Sequence, residues 1–236
     1  MSSLPLVLGI SRPVMSESRE SRKASLSGTV KVITPEIKKA VFDRDDHTCQ
    51  CCGFQAKKYQ EVHFLDQNVS NLTMDNMVTA CIFCHQCFNL DMACIMRSAV
   101  LVWLPELSQV DLHHVMRAVY VARISQGPMA EAARATLDSL MARRDEVRHR
   151  IGTDDPYVLA TVMKDFLTSR YYADRGNRLE GVRLMPLDRR LIREADLEFN
   201  QFPQILAYWR SKDGPFGNRA PTLWFNLYRD AMKQAS

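Results

Sequence analysis

The sequence predicts an α+β protein: a small ββα module over residues 31–96, followed by a mostly α-helical region over residues 97–236 with one or two short strands. Three observations carry that prediction. Two Cys-x-x-Cys pairs, Cys49/Cys52 and Cys81/Cys84, are separated by 28 intervening residues within one short segment. Strand-like and turn-like stretches alternate between them. Beyond them, apolar residues recur at helical spacing between Gly and Pro breaks.

Residues 1–30 read as a flexible N-terminal tail, because RESRKASLSG is rich in Ser and charge and has no apolar period. MSSLPLVLGISRPVMSES has no positive n-region and only a brief apolar patch, which does not make a signal peptide. In TPEIKKAVFDRDD, Thr34 sits at a helix N-cap, Pro35 at the first helical position and Glu36 in the first turn. Ile37, Val41 and Phe42 give that helix an apolar face to pack on the module.

A tetrahedral zinc ion takes four thiolates at about 2.3 Å, and each Cys-x-x-Cys knuckle offers two sulfurs on one side of a tight bend. Zn2+ is therefore expected on Cys49, Cys52, Cys81 and Cys84. Gly53 follows the first pair, where a knuckle needs a residue free to take positive φ. The insert exceeds the usual 15–20 or so residues of a double knuckle and has room for a hairpin. Gln60–Asp66 reads as a strand and Asn68–Asn76 as turn chemistry, and MVTACIFCHQC carries the second pair into a helix.

Strand, turn, strand and helix closed by zinc resembles the HNH (ββα-metal) module. The matching residues are Arg44 to Gly53, Glu61–His63 and Asn76 to His85. That resemblance implies a metal-ligating Asp or His at the end of the first strand, followed by a His that serves as general base. With His63 at the metal position, Phe64 falls where the base belongs, and phenylalanine cannot accept a proton. Slipping the register makes His63 the base but puts Val62 at the metal position. The expectation is a kept fold with lost chemistry. The alternative is an HNH endonuclease using His63, Asn76 and His85 with magnesium or manganese. Asn76 is otherwise expected to cap the following helix, and His85 to sit beside the zinc ligands or on the surface.

The chain has 236 residues, 46% of them hydrophobic, and a net charge of +4. This mild basicity falls short of the concentrated charge of a dedicated nucleic-acid binder. A zinc module that binds nucleic acid without catalysis is a third reading, which would require steeply salt-dependent affinity. No apolar run approaches a membrane span. Of seven cysteines, Cys51, Cys87 and Cys94 remain beside the four expected ligands; they are read as free thiols in a reducing compartment, with Cys87 a candidate to exchange into the zinc shell. The expected location is the cytoplasm.

In the second half, AVLVWL (Ala99–Leu104) reads as a strand. Ser108 caps a helix with Asp111 in the capping-box position, and Leu112, Val115, Met116, Val119 and Tyr120 form its buried stripe. His113 and His114 point about 100° apart on a helix and find no third ligand. Gly127-Pro128 opens a long helix with Ala132, Ala135, Leu137, Leu140, Met141 and Val147 inward, a solvated charge run from Arg143 to Arg150, and Gly152 as C-cap. Pro156 opens another helix, through about Ala173, with Leu159, Val162, Met163, Phe166 and Leu167 inward. Val182–Met185 reads as a strand that passes into a helix, and two short helices flank the loop Lys212–Pro221. The aromatics from Phe202 to Tyr228 are either a local core or an anchor surface.

One family matches beyond the bare HNH pattern. RDDHTCQCCGFQAKKYQ (Arg44–Gln60), NMVTACIFCHQCF (Asn76–Phe88) and LPELSQ (Leu104–Gln109) resemble the IcmJ/DotN family of the Dot/Icm type IVB secretion system. The resemblance implies a zinc-bound, HNH-like adaptor without nuclease activity, at the cytoplasmic face of the inner membrane through its partners. The implied partners are the C-terminal region of a DotL-like coupling ATPase and other coupling-complex subunits, with a role in effector recruitment. No small-molecule substrate and no direct membrane span are expected, and nucleic acid is not the expected partner.

Overall fold

A computed structural model gives the fold and describes residues 4–11 and 33–235. The architecture is α+β, as the sequence predicts, and the chain divides into two compact units. Met1–Ala93 joins Tyr157–Leu179 in the first, and Cys94–Pro156 joins Glu180–Ser236 in the second. Residues 157–179, which lie inside the stretch 97–236, thus belong with the cysteine-bearing unit.

The first unit begins with a correction. Residues 1–3 and 12–30 of the expected tail lie outside the described residues, but residues 4–11 form an extended strap with Leu8 and Ile10 buried. The brief apolar run LPLVLGI supplies what the Ser-rich part lacks: surface worth removing from water. Leu4 N–H donates to the Gln50 carbonyl at 2.9 Å, and Gly9 N–H donates to the Cys87 carbonyl at 2.8 Å.

Helix α1 (Pro35–Arg44) starts at Thr34, whose hydroxyl accepts from the Ile37 N–H at 3.4 Å. Strands β1 (Gln60–Phe64) and β2 (Met77–Cys81) pair antiparallel, with Gln60 opposite Cys81 and Phe64 opposite Met77. Val41 of α1 packs on Val62 and Met77, joined by Ile37, Phe42 and Phe64. Helix α2 (Ile82–Cys87) and α3 (Leu90–Ile95) follow.

Helices α6 (Pro156–Asp165), α7 (Ser169–Ala173) and α8 (Arg175–Arg178) complete this unit. The single helix expected through Ala173 is broken, since the Thr168 side chain accepts from Tyr171 N–H and starts α7 afresh. Leu159 and Met163 face inward as expected, whereas Val162 and Phe166 are exposed, Phe166 at 76%. Tyr172 holds the strap, its hydroxyl accepting from Ile10 N–H at 3.1 Å, and Arg175 Nε donates to the Leu8 carbonyl at 2.9 Å.

The second unit is built on β3 (Ala99–Trp103) and β4 (Val182–Pro186), paired antiparallel. Helices α4 (Gln109–Arg123) and α5 (Pro128–Ile151) pack on this ribbon. Ser108 caps α4 by accepting from Asp111 N–H at 3.0 Å. Gln109 acts as a substitute strand edge: its amide donates to the Leu184 carbonyl at 2.8 Å and accepts from Leu184 N–H at 2.9 Å. His113 is a packing residue, fully buried and 2.8 Å from the Gln109 amide. On α5 the buried face is Ala130, Ala133, Leu140 and Val147, so Ala132 and Ala135 point outward, against expectation. Alanine fits either environment, and only the larger residues mark the face.

The helix expected after Val182–Met185 is instead a hairpin, β5 (Leu191–Glu194) with β6 (Leu197–Asn200), turning at Ala195 with φ +52°. The region beyond residue 97 thus holds four short strands among its described residues, where one or two were expected. Asn200 ends the hairpin by accepting from both Arg190 and Phe202 N–H, at 2.9 and 3.1 Å. Helix α9 (Phe202–Arg210), a 3-10 turn at Pro221–Leu223 and α10 (Trp224–Ala235) close the chain. The aromatics divide: Phe202 and Trp209 are core, Phe216 stacks on Trp224, and Phe225 is exposed.

Candidate metal centre

The two knuckles arise from different local structures. In the first, Gly53 takes φ +71° and its N–H donates to the Cys49 carbonyl at 2.9 Å, while Cys49 N–H donates to the Phe54 carbonyl at 3.0 Å. In the second, Cys81 is both the last residue of β2 and the N-cap of α2, and its Sγ accepts from Cys84 N–H at 3.4 Å.

A latch holds the knuckles together. Arg44, the last residue of α1, donates to the Met74 and Met77 carbonyls at 2.7 Å each, and its guanidinium also pairs with Asp45. The other face of Asp45 accepts from Thr79 N–H at 2.7 Å, and Gln50 N–H donates to the Thr79 carbonyl at 2.9 Å. Burial raises the Asp45 pKa, but the Arg44 guanidinium and the Thr79 donors outweigh it and hold the carboxyl below its ordinary value.

The four predicted cysteines converge. Their Sγ atoms lie within 4.8 Å of one another and could hold a metal ion. Cys52 Sγ and Cys81 Sγ are 3.7 Å apart; the edge of a tetrahedron with about 2.3 Å metal–sulfur bonds is about 3.8 Å. The electrostatics agree with a site built for a cation. Cys51 first, then Cys81 and burial, push the Cys49 thiol up to about 12. Sulfurs beginning with Cys49 push the Cys52 and Cys84 thiols up as well. Four clustered sulfurs resist ionising together unless a cation neutralises them.

Cys51, Cys87 and Cys94 form no disulfide, as expected, but the exchange role offered to Cys87 is not seen. Cys87 lies outside the group of four: it is fully buried, and its thiol donates to the Phe83 carbonyl at 3.6 Å. Cys51, inside the first knuckle, is the one beside the sulfurs, where Cys49 and then Cys84 draw its thiol down to about 5. The signal for Cys51 was its place between two ligands on a tight bend. Arg44 and Asp45 open the stretch matched in the sequence, but their bonds to Met74, Met77 and Thr79, some 30 residues on, had no local signal.

Among the described residues, His63, Asn76 and His85 belong to no cluster of metal-ligating groups. The His63 and His85 rings are 6.1 Å apart, and His63 stacks on Phe88. Asn76 does not cap a helix. Its Oδ1 accepts from Asp66 N–H at 3.0 Å and its Nδ2 donates to the Asn71 carbonyl at 2.9 Å, closing the loop between β1 and β2. Phe64 is a partly buried member of the Val41–Val62–Met77 core.

No protein-family model matches the chain. Over 129 residues it is 34% identical to the type 4 apparatus protein DotN of Legionella pneumophila. The match covers 53% of this chain and 60% of DotN, so the chain spans under two thirds of that protein's length. No helix of the described residues is long and apolar enough to cross a membrane.

Proposed function

We propose that the chain, 34% identical to DotN over 129 residues, is a member of the IcmJ/DotN family and a non-catalytic, zinc-containing adaptor subunit of a type IVB secretion coupling complex. In this reading Cys49, Cys52, Cys81 and Cys84 hold Zn2+, and the ion serves the fold. Apparent zinc-binding energies of about 10–16 kcal/mol are enough to hold a module too small to fold on its own core. The chain binds the C-terminal region of a DotL-like coupling ATPase together with other subunits of the complex. It helps recruit effectors and sits in the cytoplasm, peripheral to the inner membrane through those partners.

The observation that carries this reading is the 34% identity to a protein of a type 4 apparatus. The absence of nuclease chemistry is supported by the residue pair His63-Phe64. Phe64 is spent on the core, and the His63 ring lies under Phe88 with 8% of the residue exposed, leaving little access to a water to activate.

Co-purification of the tagged chain with the coupling ATPase tests the adaptor role. The expected result is a stoichiometric complex that needs the ATPase's C-terminal extension, and recovery of the ATPase without the chain would overturn the reading. Plasmid nicking by the zinc-loaded protein, with added magnesium or manganese and a His63→Ala control, tests the endonuclease alternative. Metal-dependent nicking that disappears in the control would replace the adaptor with an enzyme.

A further inference from the structure

The end of the second unit carries a basic pocket and an exposed apolar helix side by side. The pocket, 410 Å³ in volume, is lined by Arg210, Arg219, Gln126, Asn218 and Ser125, with apolar contributions that include Pro221. No carboxylate among the described residues lines it. Among the described residues, neither Arg210 nor Arg219 forms an ion pair, whereas Arg123, Arg143, Arg144, Arg148, Arg150 and Arg178 each pair with a carboxylate. Two arginines lining one pocket, with no carboxylate among its described lining residues, make a site for a phosphoryl or similar anion.

Pro221 forms one wall of this pocket and also starts the 3-10 turn that leads into α10. Trp224 seats the helix, packing with the Val119, Ala122 and Ala133 cluster and stacking on Phe216. The neighbouring large apolar side chains do not share that burial: Leu223 is 51% exposed, Phe225 68% and Leu227 45%. At 100° per residue, Leu227, Trp224 and Phe225 fall within one arc of roughly 160°, with Asn226 and Asp230 on the other side. From Arg210 to the C-terminus the sequence holds five basic residues (Arg210, Lys212, Arg219, Arg229, Lys233) against two acidic ones (Asp213, Asp230).

We propose that this surface docks directly on an anionic lipid bilayer, with a headgroup phosphate in the Arg210–Arg219 pocket and Phe225, Leu223 and Leu227 in the boundary between headgroups and acyl chains. Charge complementarity selects the occupant. A bilayer presents dense phosphate beside a deformable apolar layer, which matches free guanidinium groups beside apolar side chains that flank a seated edge rather than frame a groove. This contact goes beyond the adaptor reading, which needs attachment only through partners, and does not depend on it.

Sedimentation of the full chain with phosphatidylcholine vesicles, with and without phosphatidylglycerol, tests the proposal. Binding is expected only to the vesicles that contain phosphatidylglycerol, and it weakens with added salt. Phe225→Ser with Leu227→Ser, and separately Arg210→Gln with Arg219→Gln, each lower the partition by about tenfold. Phe225→Trp, which keeps an apolar anchor, and the paired Arg→Lys changes retain most of it. All of these positions are on the surface, so melting temperatures are expected to stay unchanged. Equal binding to both vesicles, no binding to either, or an undiminished Phe225→Ser/Leu227→Ser variant would overturn the proposal. Inorganic phosphate binding to the pocket without vesicle binding would do so too, as would capture of an acidic peptide in place of vesicles.

Discussion

The His63 ring lies flat against Phe88, with centroids 4.0 Å apart and planes 17° from parallel. Burial first, and the neighbouring His85 second, draw the His63 pKa down to about 4. In the unfolded chain a histidine titrates near 6.5 or so. Between those values the unfolded state binds a proton that the native state refuses, so stability is whole above about pH 6.5 and falls as the pH drops toward 4. The loss is about 3 kcal/mol. His63→Phe keeps the stack and removes the titration. Urea unfolding of the two proteins side by side is therefore expected to show the parent losing about 3 kcal/mol relative to the variant from pH 7 to pH 4. A difference that stays constant across that range would mean the ring is hydrated.

Elemental analysis of the purified chain is expected to give one zinc per molecule. Cys81→Ser removes the metal and leaves the protein insoluble or unfolded, because the about 10–16 kcal/mol of zinc binding is comparable with the whole stability of a domain, about 5–15 kcal/mol. Cys51→Ser and Cys87→Ser keep the metal, since neither belongs to the group of four. A folded, cooperative, metal-free Cys81→Ser protein would show that the centre is dispensable.

Arg44→Lys is expected to cost about 2 kcal/mol in urea unfolding, although charge is preserved. A lysine reaches one acceptor at a time, whereas the guanidinium of Arg44 spans the Met74 and Met77 carbonyls and Asp45 together. A loss below about 0.5 kcal/mol would mean that water replaces these bonds freely.

Gly181 holds φ +84°, and a Cβ added there would meet the Trp103 ring at 2.5 Å. Gly181→Ala is expected to destabilise by about 2–4 kcal/mol, joining left-handed backbone strain to overpacking. Gly176→Ala serves as the contrast. Its backbone is helical and its nearest neighbour, a Val7 methyl, lies at an ordinary 3.6 Å, so the melting temperature is expected to hold or rise.

Features set by local chemistry were legible in the sequence. Thr34, Ser108, Gly53 and Gly152 each do their work within four residues of their own position, and the paired cysteines carry a ligand geometry in their spacing. What escaped depends on distant partners. The strap at Leu8–Ile10 finds its partners at Cys87, Tyr172 and Arg175, and nothing near residue 10 announces them. Asn76 stands next to a strand and a helix yet serves a loop that begins ten residues earlier. LIREADLEFN is short enough for either period, and pairing between Leu191–Glu194 and Leu197–Asn200 decided for a hairpin.

The return of residues 157–179 to the first unit sets an order of events during synthesis. Cys84, the last of the four clustered cysteines, is made 95 residues before Leu179, which ends the last segment of that unit. At about 5–20 residues per second, roughly 5–19 seconds separate the two. For most of that interval the four thiols are already on the nascent chain, while Tyr172 and Arg175, which hold the strap, have not been made. All four thiols of the candidate metal centre are thus in place before the unit can close. Neither unit is a contiguous stretch of sequence, and each is finished only by chain that is translated after part of the other.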